Sequence, residues 1–316
     1  MAIEVNIDNY ARAEVASQVD RFLGFGAAVN GWTHIRTPTP LDQQSVIRMN
    51  RDTLYSVAVV DAGAGATVTL PDAGGRYLTV MVMDEDGYVV RVFHDAGVQQ
   101  LAADEVGGGF ALLIARILVD PTVPEDVAEV NRLQDLLVID APSARPWSTG
   151  RYDAASFQAT KKPLLELGLG LHDSRRTFGS RDSVDPVRFL IGTAGGFGGL
   201  PEEEAYYAIR ATHRPVGSYE LRVVDVPADG FWSVSVYNRD GYFDENPYGS
   251  YSVNDVTAVA DDDGAVTIHF GPEPDGSPNY LYVKDGWNYV ARMYRPRASI
   301  LDGTWTFPEP EAQPAP

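Results

Sequence analysis

Two stretches of the chain alternate apolar and polar positions and then break into the same turn. Residues 79–88 read TVMVMDEDGY and residues 233–242 read SVSVYNRDGY, so both fit Ser/Thr-Val-x-Val-x-Asp/Asn-x-Asp-Gly-Tyr. Each copy follows a proline, an acidic residue, a glycine and an aromatic, Pro71 to Tyr77 in one case and Pro227 to Phe231 in the other. Period-two alternation that ends on Asp-Gly predicts a strand running into a tight turn. The repeat therefore predicts two β domains with the same turn in comparable places and something different between them.

The flanking patterns agree. Residues 8–23 have helical spacing, with Asp8 as N-cap and Val15, Val19, Phe22 and Leu23 on one face. Strands are expected at 54–60, 67–70, 77–83, 88–93 and 110–119, which at this density suits a barrel or a sandwich. From about 120 to 200 the period becomes helical. Thr122 to Glu125 has the form of a capping box before Val127, Val130, Leu133 and Leu137. A second helix starts near Asp153, with Phe157, Leu164 and Leu165 inward. A third has Asp185 as cap, Pro186 at its first position and Val187, Leu190, Ile191 and Ala194 at helical spacing, and it stops at the glycine run 195–199. Strand spacing returns at 219–226, 231–238, 256–260, 265–270, 279–283 and 288–294, as in a jelly roll. The expected fold is mainly β with a helical middle. It comprises an N-terminal β-barrel or sandwich domain (1–120), a helical connector (121–200) and a C-terminal jelly-roll-like sandwich (201–316) whose Pro-rich tail from Pro308 is disordered.

Composition narrows the class. The 316 residues are 44% hydrophobic and 22% charged, enough apolar content for packed cores. A net charge of −19 disfavours nucleic acid and anionic membrane surfaces. The absence of cysteine removes disulfides, thiolate metal sites and Cys nucleophiles. The N-terminus lacks a basic region followed by an apolar one, so the expected location is cytoplasmic, or secreted if a signal peptide has been removed.

Several segments resemble a known pair of families. Asn50 to Ser56 (NRDTLYS), with Leu70-Pro71-Asp72 and Arg76-Tyr77, resembles the family numbered twelve-fifty-four among domains of unknown function. Trp232 to Phe243, with Asn246-Pro247 and Tyr251-Ser252, resembles its usual partner, domain of unknown function twelve-fourteen. So do Gly286 to Tyr289, Arg292 to Pro296 and Leu301 to Trp305. The resemblance implies an N-terminal β domain, a helical middle and a C-terminal jelly roll, and implies no particular chemistry.

Chemistry has to come from the residues. The chain has no G-x-S-x-G, Walker A, H-E-x-x-H or G-x-G-x-x-G motif. Residues 48–55 pack two guanidiniums, an amide, a carboxylate, a hydroxyl and a phenol together. On a strand, Arg48, Asn50 and Asp52 would form a row on the face of Leu54, able to orient a substrate or to serve as an internal ion pair. The loop 239–255 interleaves Tyr242, Phe243, Tyr248 and Tyr251 with Asp240, Asp244, Glu245 and Asn246, a mixture suited to a sugar or to lidding the core. Arg292 can meet Tyr237 or Asp240 across the sheet. Among the scattered histidines His94 is the candidate base, while His34, His172, His213 and His269 are read as surface or satisfied residues. No cofactor is expected. Calcium at Asp84 to Gly87 is a weak alternative to a plain hairpin turn.

Three functional classes stay open. The first is a cofactor-independent, hydrolase-like enzyme acting by hydrolysis or proton transfer on a small polar molecule, with Asn50, Asp52, Tyr55 and His94 as catalytic candidates. Its binding candidates are Arg48, Tyr237, Asp240, Tyr242, Tyr248 and Arg292. The second is a carbohydrate- or other ligand-binding module. The third is an assembly protein, with homo-oligomerisation as one form of it.

Overall fold

A computed structural model describes residues 2–44, 46–210 and 214–314, so His213 and the last two residues of the tail lie outside the described residues. The chain divides into two compact units. The N-terminal unit comprises Met1–Pro38, Thr53–Gly168 and Arg176–Leu200, and the C-terminal unit Thr39–Asp52, Leu169–Arg175 and Pro201–Pro316.

The N-terminal unit holds α1 (Tyr10–Gly24), β1 (Trp32–His34), β2 (Thr53–Asp61), β3 (Ala66–Leu70), β4 (Leu78–Met83), β5 (Val89–Phe93), β6 (Gly97–Leu101), β7 (Phe110–Leu118), α2 (Pro124–Asp135), β8 (Val138–Asp140), α3 (Ala154–Gly168) and α4 (Pro186–Gly195). Its sheets run β1-β2-β7-β4-β5 and β6-β3-β8. Both are open, so the barrel-or-sandwich expectation resolves as a sandwich, with no closed barrel among the described residues. Leu54, Val80, Leu113 and Ile117 of the larger sheet share a core with Val68 and Leu70 of the smaller one and with Val130 and Leu133 of α2.

The C-terminal unit holds β9 (Ala205–Arg210), β10 (Tyr219–Val223), β11 (Trp232–Tyr237), β12 (Ser252–Asn254), β13 (Val266–Gly271), β14 (Tyr280–Tyr282), β15 (Asn288–Tyr294), α5 (Ala298–Leu301) and β16 (Glu311–Ala312). Two four-stranded sheets, β14-β13-β10-β16 and β12-β11-β15-β9, enclose a core that includes Val234, Val236, Leu221, Phe270, Trp287 and Tyr289. This is the expected jelly-roll-like sandwich.

The repeated turns have the same construction. Asp84 Oδ1 accepts from the backbone N–H groups of Asp86 and Tyr88, both at 2.9 Å. Asn238 Oδ1 accepts from those of Asp240 and Tyr242, at 3.0 and 2.9 Å. Gly87 and Gly241 each have φ of 87°, the left-handed conformation that glycine adopts without steric cost.

Two helix starts differ from expectation, and in each a neighbour in sequence engages the capping side chain. Asp8 does not cap α1; Asn9 is the cap position, and its Oδ1 accepts from Asn6 N–H instead of from the helix. The capping box at Thr122 does not form, because the Thr122 hydroxyl donates to Asp120 and α2 begins at Pro124 with Val123 as cap residue. Asp185 does cap α4, but Val187 is exposed and Phe189 is the residue that packs. The strand expected at 256–260 is replaced by β12, four residues earlier, and β1, β6, β8 and β9 were not anticipated. Residues 308–314 of the tail are ordered onto the fold, where β16 pairs with β10.

Candidate functional site

The two β units place equivalent residues in equivalent registers. In the N-terminal unit Tyr55, Arg116 and Thr79 lie side by side across β2, β7 and β4. In the C-terminal unit Tyr207, Arg292 and Ser233 lie side by side across β9, β15 and β11. Each arginine sits over the ring of its tyrosine, at 5.4 Å for Arg116 and 5.9 Å for Arg292. Each also donates to a backbone carbonyl, that of Gly198 in one unit and Arg48 in the other.

Beyond that row the two faces diverge. Continuing along the paired central strands, the N-terminal face presents Met81 beside Ile114 and Met83 beside Leu112. The C-terminal face presents Ser235 beside Val290 and Tyr237 beside Asn288. All of these residues are buried. The same architecture thus supports an apolar face in one unit and a polar one in the other. Burying polar groups costs free energy unless they are paired or used.

Residues 46–52 lie on this polar face, although β2 begins only at Thr53. They do not continue the strand, because Arg48 has φ of 53° and Asn50 forms an Asx turn with the backbone N–H of Asp52. Arg48, Asn50 and Asp52 therefore do not form the alternating row expected of a strand. The segment still bonds to side chains of the C-terminal sheet. Asn50 donates to Tyr294 Oη at 2.7 Å, and Tyr237 Oη donates to the Met49 carbonyl at 2.7 Å.

Arg292 is almost fully buried. It donates to Tyr237 Oη and the Arg48 carbonyl, both at 2.7 Å, and to Ser235 Oγ at 3.1 Å. These acceptors are hydroxyl and carbonyl oxygens, not carboxylates. Burial opposes its charge, but Tyr237, Tyr294 and Asp52 outweigh burial and raise its pKa. Tyr237 is raised chiefly by burial, with Arg292 opposing. Arg48 is pushed down, by burial first, with Tyr237 opposing and Arg292 reinforcing the shift.

Asp52 is 2% exposed. Its Oδ1 accepts from Ser252 Oγ at 2.6 Å and Asn254 Nδ2 at 3.0 Å. The Asn254 amide is oriented unambiguously, since its Oδ1 accepts from the backbone N–H groups of Val256 and Thr257. Ser252 also meets Ser235 at 3.2 Å. Arg292 and Asp52 are thus linked through two serine hydroxyls rather than by direct contact. Four buried polar atoms of this face have no hydrogen-bond partner within the protein: Asp52 Oδ2, Arg48 Nε, Ser233 Oγ and Asn288 Oδ1.

The remaining candidates lie elsewhere. Tyr55 and His94 belong to the N-terminal unit, Tyr55 in its Tyr–Arg–Thr row and His94 just after β5. Asp240 is exposed on the second turn, so Arg292 meets Tyr237 and not Asp240. Tyr242 is half-buried behind that turn. Tyr248 is 43% exposed and stands edge-on to Tyr280 at 5.6 Å, beside a cleft lined by Asp244, Asn246, Ser250, Tyr251, Tyr282 and Lys284. The acidic turn at 84–87 is engaged with protein groups: Asp84 with the turn backbone, Glu85 with Phe110 N–H, and Asp86 with Arg12 and Arg181. Sequence reading missed Ser235, Ser252 and Asn254. The alternation of serines along residues 233–235 was the available signal, because small polar residues on one face of a buried strand require partners.

A family model described as "Protein of unknown function (DUF1254)" matches residues 29–163, and one described as "Protein of unknown function (DUF1214)" matches residues 209–298. No curated protein matches the chain. Among solved structures, the VPA0106 protein from Vibrio parahaemolyticus is 20% identical with a TM-score of 0.72, the alignment covering 98% of each chain. An uncharacterized protein from Burkholderia cenocepacia is 15% identical with a TM-score of 0.55, over 96% of this chain and 86% of that one. At these identities the likeness is one of fold. The chain belongs to the proteins that join an N-terminal DUF1254 domain to a C-terminal DUF1214 domain.

Proposed function

We propose that the C-terminal unit binds a small organic anion on the polar face of its β12-β11-β15-β9 sheet and that Asp52 moves a proton on it. Arg292 and Arg48 hold the anionic group, with Tyr237 fixing the guanidinium of Arg292. Asp52, clamped through one oxygen, is the acid–base group of a cofactor-independent proton transfer or hydrolysis. The observation that carries this reading is the contrast between the twin faces. The N-terminal unit builds the same strands, the same arginine row and the same turn with Met81, Met83, Leu112 and Ile114 at the positions flanking the row. The polar groups at Ser235, Tyr237 and Asn288 are therefore not needed by the architecture. Asp52 Oδ2, Arg48 Nε and Ser233 Oγ, without protein partners, leave that face with unused hydrogen-bonding capacity, which a bound ligand would take up.

The carbohydrate alternative has Tyr248 in its favour. Asn246, Ser250, Asp244 and Lys284 of its cleft are already engaged with one another or with the chain, however. Asn246 bonds the backbone of Tyr248 and Ser250, Ser250 Oγ bonds the Tyr280 carbonyl, and Asp244 accepts from Asn238.

Calorimetric titration of the full chain with short carboxylates and phosphates tests the proposal. At least one should bind, and Arg292→Met should weaken that binding at least about 10-fold, the loss expected for a charge-assisted hydrogen bond. An Arg292→Met protein that melts normally and binds the same anion unchanged would sink the assignment. So would a wild-type protein indifferent to the whole panel.

A further inference from the structure

We infer that the ligand of this face carries a hydroxyl or amino donor a few atoms from its anionic group, so that it is a short hydroxy acid or amino acid. This deepens the anion-site reading and rests on it. The cluster separates two functions that a direct salt bridge would merge. Arg292 reaches Ser235 Oγ at 3.1 Å, Ser235 meets Ser252 at 3.2 Å, and Ser252 donates to Asp52 at 2.6 Å. The two intervening hydroxyls keep the Arg292 guanidinium and the Asp52 carboxyl apart, and the cluster keeps hydrogen-bonding capacity at both ends. On the cationic side this is Arg48 Nε, a donor. On the acidic side it is Asp52 Oδ2, an acceptor in a residue 98% buried by virtue of its 2% exposure.

The direction of the missing bond follows from the bonds already made. Both groups on Asp52 Oδ1 are donors, and the Asn254 amide cannot turn over without losing its bonds to Val256 and Thr257. Asp52 is thus held as an acceptor, and what completes it is a donor. A plain carboxylic acid answers Arg48 and Arg292 but leaves Oδ2 empty. Ser233 Oγ, in register with Arg292 on one side and Asn254 on the other, lies between the two ends and can either donate or accept. Arg48 and Tyr207 are only half-buried, so the face is not sealed at that border.

The test compares acids matched in skeleton but differing in the donor: propionate, lactate and alanine, then butyrate and 3-hydroxybutyrate. Each is titrated into the full-length wild type and into Asp52→Asn. In the variant the amide oxygen takes the place of Oδ1 beside Ser252 and Asn254, and the NH2 group faces the ligand, which turns the acceptor into a donor. The expected result is that a donor-bearing acid binds the wild type about 10-fold or more tightly than its plain counterpart. In Asp52→Asn that preference falls several-fold for a hydroxy acid, whose hydroxyl can still accept from the NH2 group, and is lost for alanine, whose ammonium group cannot. Equal affinity of matched acids for the wild type, or a preference undiminished in Asp52→Asn, overturns the inference and leaves the anion site standing. Failure of every acid to bind the wild type overturns both.

Discussion

Asp61, at the end of β2, shows how a single buried carboxylate can organise its surroundings without any motif to announce it. It has no exposed surface. It accepts from Arg145 through both the guanidinium and the backbone N–H, from Ser143 Oγ, and from Gly63 N–H. The Arg145 guanidinium, against burial and with help from Ser143, holds its carboxyl well below the usual carboxylate range. A folded-state pKa below the unfolded one means that Asp61 contributes stability above roughly pH 4, the unfolded value. That contribution is lost as the pH falls through and below this value. Asp61→Asn should cost about 2 kcal/mol at pH 7, a figure kept modest because Arg145 is half exposed. Urea unfolding at pH 7 and pH 3 checks this: the gap between variant and wild type should narrow at pH 3, and a constant gap would contradict the linkage. Asp52 was conspicuous in the sequence because Arg48, Asn50 and Arg51 crowd it. Asp61 was not, since Ser143 and Arg145 lie more than eighty residues away.

At the scale of the element, the repeated strand-and-turn was fully legible. Its alternation and its Asp-Gly step are local properties, and local hydrogen bonds to the side chains of Asp84 and Asn238 close both turns. The glycines are required for the same reason in each. A side chain at φ of 87° is strained, and at residue 241 a Cβ would also stand 3.2 Å from the Cβ of Ile47. Gly87→Ala and Gly241→Ala should each lower stability by about 1–2 kcal/mol. Thermal unfolding of both variants measures it, and an unchanged midpoint in either would mean that the turn can relax out of the left-handed conformation. Helix starts were less legible. Thr122 and Asp8 had suitable chemistry, but nearby polar groups outside the helix, or simple register, took their place.

At the scale of the molecule, the C-terminal unit includes Thr39–Asp52, a segment separated from the rest of it by residues 53–168. Arg292, Tyr237 and Tyr294 all bond to this segment. Residues 201–316 alone, the domain expected from the strand pattern, lack those partners: the buried Arg292 guanidinium would lose its carbonyl acceptor at Arg48, and Tyr237 Oη its acceptor at Met49. This fragment should be less stable and more protease-sensitive than the same fragment fused through a flexible linker to residues 39–52. Equal proteolysis rates for the two fragments would show that the segment is not part of the folded unit.

The order of the strands, the two β units, the helical middle and the repeated turns were set by the sequence itself, because period, turn chemistry and proline or glycine placement act over a few residues. The candidate residues Arg48, Asn50, Asp52, Tyr237 and Arg292 were likewise visible as unusual polar groups. Their assembly was decided only by tertiary structure. A strand pattern says which residues share a face, but not which remote segment covers that face. It took the pairing of β11 with β12 and β15, and the crossing of residues 46–52, to bring Ser235, Ser252 and Asn254 between an arginine and an aspartate. The twin motif marked where the two units are alike, while register revealed that one buries methionine and leucine where the other buries serine, tyrosine and asparagine.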